Sequence, residues 1–408
     1  MKEIKLLCVF LFILLVPFQD TSLQQYFGFL GASPSFFPIS VLIFLSIIEG
    51  LINYRNIKIK KVNLVIFLYV VLISSFYLII FGTESHGENL IIKAFKIAIL
   101  TVLFLYPIFY INYDHKWVRI SIKIAFLISV IGVILNDYID TSLMFHYHEN
   151  LNMRPRGFSL ESSWLSSVIV TLGLLVSSYS KSKIRKIIYI FIMLSGLAYS
   201  ASKGGIIAML LAGFCISFFY LRGFWLKVTF TLMMIIASVY LYGFLDIIFL
   251  VDINEYTSTA TRSGLAITSL FMILSNPFGV GFTGFLPAIN VYIPQAIEFI
   301  QYNLNISLNF SELSSYVAVD SAQNISAKSF LLEYSCYFGL PFLIIFLRFH
   351  NLLIEKMKGS NNMYILMALI YTLIGLSTYL GGVGLYNVSL LYGVIYSEIM
   401  QKKNIHSI

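Results

Sequence analysis

Seven cations stand out against a chain that is otherwise mostly apolar: Lys93, Lys96, Arg154, Arg156, Lys203, Arg262 and Lys328, each near the end of a long hydrophobic run or in the loop above such ends. Guanidinium and ammonium groups bind phosphate oxygens through charge-assisted hydrogen bonds, so a cluster of them at a membrane surface suits a diphosphate. Arg154 and Arg156 open the stretch RPRGFSLESSW, which leads into an apolar run and carries Glu161 about a helical turn beyond Arg156. That carboxylate either holds Arg156 in place or acts as a base, and the sequence leaves both roles open. In SASKGG, residues 200–205, Lys203 interrupts two apolar runs where they form a tight hairpin, and Gly204 and Gly205 permit close approach of backbone or ligand. Lys93 and Lys96 lie one helical turn apart and share a face. The plainer readings are local ion pairs, Arg156 with Glu161 and Lys328 with Asp320, and lysines reaching headgroups from helix ends.

The elements that must position these groups are membrane helices. Of the 408 residues, 59% are hydrophobic and only 11% charged, far from the balance of a water-soluble domain. A spanning helix needs about 20 mostly apolar residues. Twelve runs meet or approach that length: 5–20, 34–52, 63–81, 93–112, 119–136, 162–180, 186–201, 204–221, 226–250, 328–347, 362–380 and 383–400. The runs are continuous and do not alternate, which excludes a closed β-barrel and predicts an all-α polytopic membrane protein, a single integral membrane domain over 1–408. Lys2 and Lys5 precede LLCVFLFILLV, but VPFQDTSLQQ offers no small-x-small cleavage site, so the first run is expected to stay as a helix. Cys8, Cys215 and Cys336 all fall in apolar runs and imply packing, with no disulfide framework.

The net charge of +8 is distributed by loop, which argues against a nucleic-acid surface. Numbering the spans from a cytoplasmic N-terminus places twenty of the 27 cations on inner segments and leaves outside only the seven named above, among most of the acidic residues. Under the positive-inside rule both termini are cytoplasmic. One connection is long: residues 251–327, between the ninth and tenth spans, form an outer, periplasmic segment. Within it TRSGLAITSLFMILSNP reads as a helix stopped by Pro277, and interfacial helices lying over the outer mouth of the bundle are expected.

Two motif matches carry little. GVGFTG, residues 279–284, fits a glycine-rich dinucleotide pattern but follows SNPF in place of a strand, so its glycines are expected to serve a turn. HYHE, residues 146–149, sets His146 and His148 two apart without a third ligand at metal-site spacing, and no metal is expected. The two halves of the helix set show no internal symmetry, which speaks against an inverted-repeat transporter.

In order along the chain, RPRGFSLESSWLSSV resembles the R-x-x-G-x-x-x-E segment, SKGGIIAMLLAGF the S-[KR]-G-x-x-x-x-x-L segment, and TRSGLAITSLFMILSNPFGVGFTGF the Arg-led helix ending in N-P-x-G-x-G, all found in bacterial O-antigen polymerases and ligases; KSFLLEYSCYFGLPFLIIF resembles their helix after the large periplasmic loop. These segments cover about 150–347, while the first five helices add only topology. The resemblance implies an inner-membrane glycosyltransferase of the Wzy type, acting on undecaprenyl-diphosphate-linked glycan donor and acceptor at the periplasmic face in lipopolysaccharide or related polysaccharide biosynthesis. It implies no cofactor, with a chain-length regulator as a candidate partner. An acceptor hydroxyl attacks the anomeric carbon of the growing chain with inversion, while cations hold the departing diphosphate. Arg156 and Arg262 match the family positions best and, with Glu161, are the expected catalytic residues; Lys203 stands where arginine is common and joins Arg154, Lys93, Lys96 and Lys328 as expected diphosphate ligands. The ligases carry a histidine near the position of Ala327 and Lys328, whereas this chain has none from 149 to 349, which favours polymerase. A ligase, and a flippase or other transporter of lipid-linked oligosaccharide, are the alternatives.

Overall fold

A computed structural model describes residues 1–52, 61–141, 145–148, 154–220, 223–229, 231–232, 258–303, 308–317, 325–360, 362–381 and 384–405. The described residues are helical with almost no sheet, as the continuous apolar runs require. Eleven of the twelve runs coincide with helices: α1 (Lys2–Leu15), α2 (Phe36–Ile52), α3 (Lys61–Phe81), α4 (Leu90–Leu105), α5 (Lys116–Ile134), then, after the short α6 (Asn136–Thr141), α7 (Ser162–Tyr179), α8 (Lys183–Tyr199) and α9 (Lys203–Tyr220), and at the end α13 (Phe330–Lys358), α14 (Met363–Thr378) and α15 (Tyr386–Ile405). Most of the twelfth, the run 226–250, lies outside the described residues. Among the described residues six helices are long and apolar enough to cross a membrane, or seven if the bent pair Gln24–Gly31 and Phe36–Ile52, 58° apart, makes one span. Several helices able to span a bilayer are what a membrane protein requires.

α7 is the centre of the bundle. Of its span 78% is buried, against none of Leu64–Phe81 in α3, which therefore turns its apolar surface outward. α7 packs against α5, α8, α14 and α15. Small residues make these approaches possible: a Cβ on Gly173 would lie 2.7 Å from Met193, and one on Gly205 would lie 2.5 Å from Ser166 Oγ.

The described helices of the segment expected to lie over the mouth pack against α3, α4 and α13. α10 (Ser258–Ser275) runs beside α13, turns at Asn276–Val280, and returns as α11 (Gly281–Glu298) against α3 and α4. The turn meets α13 at Gly339, nine residues from the start of that helix and so about 14 Å along it. Gly339 has φ 67° and ψ −157°, which breaks the helical bond between Leu340 N–H and Cys336 C=O. Both freed groups are satisfied by the turn: Leu340 N–H donates to Pro277 O at 2.8 Å, and Val280 N–H donates to Cys336 O at 2.8 Å. A Cβ on Gly339 would stand 2.1 Å from Pro277 O, so glycine is required there for contact as well as for φ. Tyr69 and Tyr77 of α3 complete the clasp, their hydroxyls donating to Phe278 O and Asn276 Oδ1 at 2.7 Å each. The NPFGVG stretch is thus a structural insert into a kinked helix, consistent with its reading as a turn.

Candidate functional site

RPRG is held by a pocket built from the chain between α1 and α2, the start of α6 and the residues 145–148 that follow it. Asn136 Oδ1 accepts from Arg156 N–H at 2.9 Å and from Gly157 N–H at 3.0 Å. Gly157 takes φ 52°, and its carbonyl lies 2.8 Å from His146 Nε2. The Arg156 side chain is buried, with Nη1 3.5 Å from Asp20 Oδ2 and Nη2 donating to His148 O at 2.8 Å. Asp20 is the hub: only 1% exposed, it also lies 2.5 Å from His148 Nδ1 and 3.8 Å from His146 Nδ1. The two histidines considered as metal ligands therefore share a carboxylate with an arginine. Glu161, expected as Arg156's partner or as a base, occupies the N-cap position of α7; its carboxylate accepts from Ser163 Oγ at 2.5 Å and its carbonyl from Trp164 N–H at 3.1 Å. Arg154 is half-buried beside this pocket and also has an interaction partner.

A second group assembles on the turn that follows α14. Arg262, on the first turns of α10, donates from Nη1 to Tyr379 O at 3.1 Å. Gly204, next to Lys203, packs so closely that a Cβ would lie 2.8 Å from the Tyr379 ring. Gly381 does the same to Lys328, with a Cβ 2.9 Å from its backbone carbon. The start of α13 is tied to the same turn, Phe330 N–H donating to Leu380 O at 2.8 Å and Ser329 Oγ to Leu376 O at 3.0 Å. Residues 379–381 thereby meet the starts of α9 and α10 and the residues just before α13, the segments that carry Lys203, Arg262 and Lys328. Beside Arg262, Glu312 on the short α12 (Ser311–Ser315) accepts from Thr261 Oγ1 and from Tyr316 OH, each at 2.8 Å. Burial, and then the Glu312 carboxylate, push the Tyr316 phenol above its ordinary range, so it stays a neutral donor.

Lys93 and Lys96 approach from α4. A two-residue hairpin, β1 (Glu84–Ser85) with β2 (Glu88–Asn89), turns at His86 and Gly87, both at positive φ as such a turn requires. Asn89 caps α4 by accepting from Ile91 and Ile92 N–H at 3.0 and 3.1 Å, and Glu88 holds Lys93 at 2.6 Å. Lys96 lies over the Phe29 ring, 5.5 Å from its centroid. Lys328 lies just ahead of Glu333, a buried carboxylate on the first turn of α13.

The eight residues expected at the site thus lie at one end of the bundle in three sets: Arg154, Arg156 and Glu161 leading into α7, Arg262, Lys203 and Lys328 around the turn 379–381, and Lys93 and Lys96 at the start of α4. The sequence reading did not single out Asp20, Asn136, Glu312, Glu333 or Tyr379. Asp20 and Glu333 carried a usable signal, being acidic residues at the edge of an apolar run and inside one. The opposite end carries a different set of contacts: Lys5 with Glu49, Arg119 with Asp114 at 2.5 Å, and Lys186 and Lys358 over the rings of Tyr364 and Phe219.

A protein of Klebsiella pneumoniae described as an uncharacterised 49.5 kDa protein in the cps region is 29% identical to this chain over 389 residues, which is 91% of this chain and 88% of the relative. No family model matches the chain.

Proposed function

We propose that the chain is a glycosyltransferase of the O-antigen polymerase type, which joins undecaprenyl-diphosphate-linked repeat units of a surface polysaccharide. The observation that carries this reading is that the segments bearing Arg262, Lys203 and Lys328 meet at the turn 379–381, at the end of a helical bundle where the diphosphate of a lipid-linked substrate would lie. Similarity along most of its length to a protein from the cps region, a capsule gene cluster, supports a role in surface-polysaccharide biosynthesis. In this reading the chain has twelve spans, both termini are cytoplasmic, residues 251–327 belong to the periplasmic side, and the enzyme sits in the bacterial inner membrane. The separation of the two ends supports that orientation, since Lys5, Arg119, Lys186 and Lys358 gather opposite the site.

The chemistry follows from the cations. As the acceptor hydroxyl attacks the anomeric carbon, negative charge grows on the departing diphosphate, and groups that strengthen their bonds to it lower the barrier. Arg262 offers a forked donor and Lys203 and Lys328 offer point charges, with Lys93 and Lys96 flanking them. Arg156 acts one step back: engaged by Asp20 and His148 O, it fixes the segment that leads into α7 and presents Arg154 and Glu161.

Deletion of the gene tests the reading. A polymerase leaves single repeat units delivered to their acceptor with no long glycan. Long glycan accumulating on the lipid carrier with bare acceptor would assign the chain as a ligase, and unextended units trapped on the cytoplasmic side would assign it as a transporter.

A further inference from the structure

Glu333 is the most unusual ionisable residue of the bundle. Its side chain is 8% exposed, one turn into a helix that is otherwise apolar for several turns. One carboxylate oxygen, Oε1, accepts from Tyr337 OH at 2.8 Å; the other, Oε2, is buried and has no hydrogen-bond partner among the described residues. A buried carboxylate oxygen left without a donor costs free energy that nothing in the packing returns, and an acidic residue inside a membrane helix marks a functional site by default. The surroundings are not those of a stray core polar group. Burial disfavours its charged form, and the α13 N-terminus, one turn away, opposes that penalty with its helix dipole. Cys336, one turn further along α13, reaches Ser269 of α10 at 3.8 Å, so the two helices run side by side and set Arg262 about two turns from that contact and Glu333 about one. Glu333 thus lies at the same end of the bundle as Arg262 and Lys328.

We propose that Glu333 is the general base of the transfer, taking the proton of the acceptor hydroxyl on Oε2. In that step the hydroxyl oxygen bonds to the anomeric carbon, the bond from that carbon to the phosphate oxygen breaks, its electron pair leaves with the diphosphate, and the proton resides on Glu333 until released to water. The carboxylate is suited to this because an ionised acid is an acceptor only, and Tyr337 leaves one of its oxygens open. Glu161 is the less fitting base, since it is half-buried at the N-cap of α7 and neither of its oxygens is buried without a partner. The inference rests on the polymerase reading.

The test uses the full-length purified protein with its lipid-linked repeat unit, following both glycan elongation and binding of undecaprenyl diphosphate. Glu333→Gln keeps the size of the side chain and an acceptor for Tyr337 OH. It is expected to lower turnover about 100-fold or more, to abolish the acidic limb of the pH–rate profile, and to leave undecaprenyl diphosphate affinity within about threefold of wild type. Glu333→Asp should recover part of the rate and restore the acidic limb. A Glu333→Gln protein that keeps a tenth or more of the wild-type rate with the pH profile unchanged would overturn the assignment. So would a loss of diphosphate affinity as large as the loss of rate, which would make Glu333 a positioning group for Lys93 and Lys328. If wild-type protein elongates nothing, the polymerase reading fails first and the base falls with it.

Discussion

Removing Arg156 strands the Asp20 carboxylate. Asp20 is 1% exposed and Arg156 4%, so neither charge is screened by water, and the pair is broken by either single substitution. Breaking a buried ion pair by removing one partner costs about 3–5 kcal/mol. The His148 ring at 2.5 Å remains to hold Asp20 when Arg156 is gone, which places Arg156→Ala near the lower figure, about 3 kcal/mol. Asp20→Asn leaves the guanidinium buried with the His148 carbonyl as its partner and should cost a similar amount. The double variant removes both charges, so its cost should fall below the sum of the singles by about 1.5–3 kcal/mol. Unfolding in mixed micelles, with folded fraction followed against denaturing detergent, gives all four values. Glu161→Ala serves as the contrast: half-buried and engaged by Ser163, it should cost no more than about 1 kcal/mol. An Arg156→Ala protein within about 1 kcal/mol of wild type, or strictly additive singles, would show that Asp20 does not hold the guanidinium and would return Arg156 to the diphosphate.

Three further outcomes are expected. Arg262→Ala should abolish chain extension while leaving the protein in the membrane at normal abundance, and Arg262→Lys should only partly restore it, since lysine lacks the forked donor; glycan length on gels and immunoblots of membranes check both. Gly339→Ala should destabilise the protein by about 1–3 kcal/mol or more, because φ 67° is strained for alanine and the new Cβ has no room beside Pro277 O, and the loss should appear in the same unfolding assay. Reporter fusions at 60, 184 and 357 should read cytoplasmic and fusions at 150 and 310 periplasmic; a periplasmic signal at 184 would reverse the orientation.

Much of this fold was legible in the sequence because membrane helices are written locally. An apolar run such as 162–180 has no other low-energy state in a bilayer, and α7 occupies Ser162–Tyr179. Which helix is central was not legible, since α3 is the more apolar of the two and yet is the one with no buried span. The packing of the helix Ser258–Ser275 was not legible for a related reason. TRSGLAITSLFMILSNP has the amphipathic character of an interfacial helix, but its destination is decided by Gly339, whose broken hydrogen bonds receive the NPFGVG turn from residues some sixty positions earlier. At the site, residue types announced the cations, because a charge at the edge of an apolar run needs a reason. Their partners were hidden by distance along the chain: nothing near Arg156 names Asp20, and the local candidate, Glu161, was the natural misassignment.

The central claim is that this chain forms glycosidic bonds at the expense of a lipid diphosphate. Purified protein incubated with its undecaprenyl-diphosphate-linked repeat unit alone should produce a ladder of glycans differing by one unit, with one undecaprenyl diphosphate released per bond formed, and Arg262→Ala should produce none. A single unextended species with no release of undecaprenyl diphosphate, from protein shown to be folded and to bind the substrate, would contradict the account.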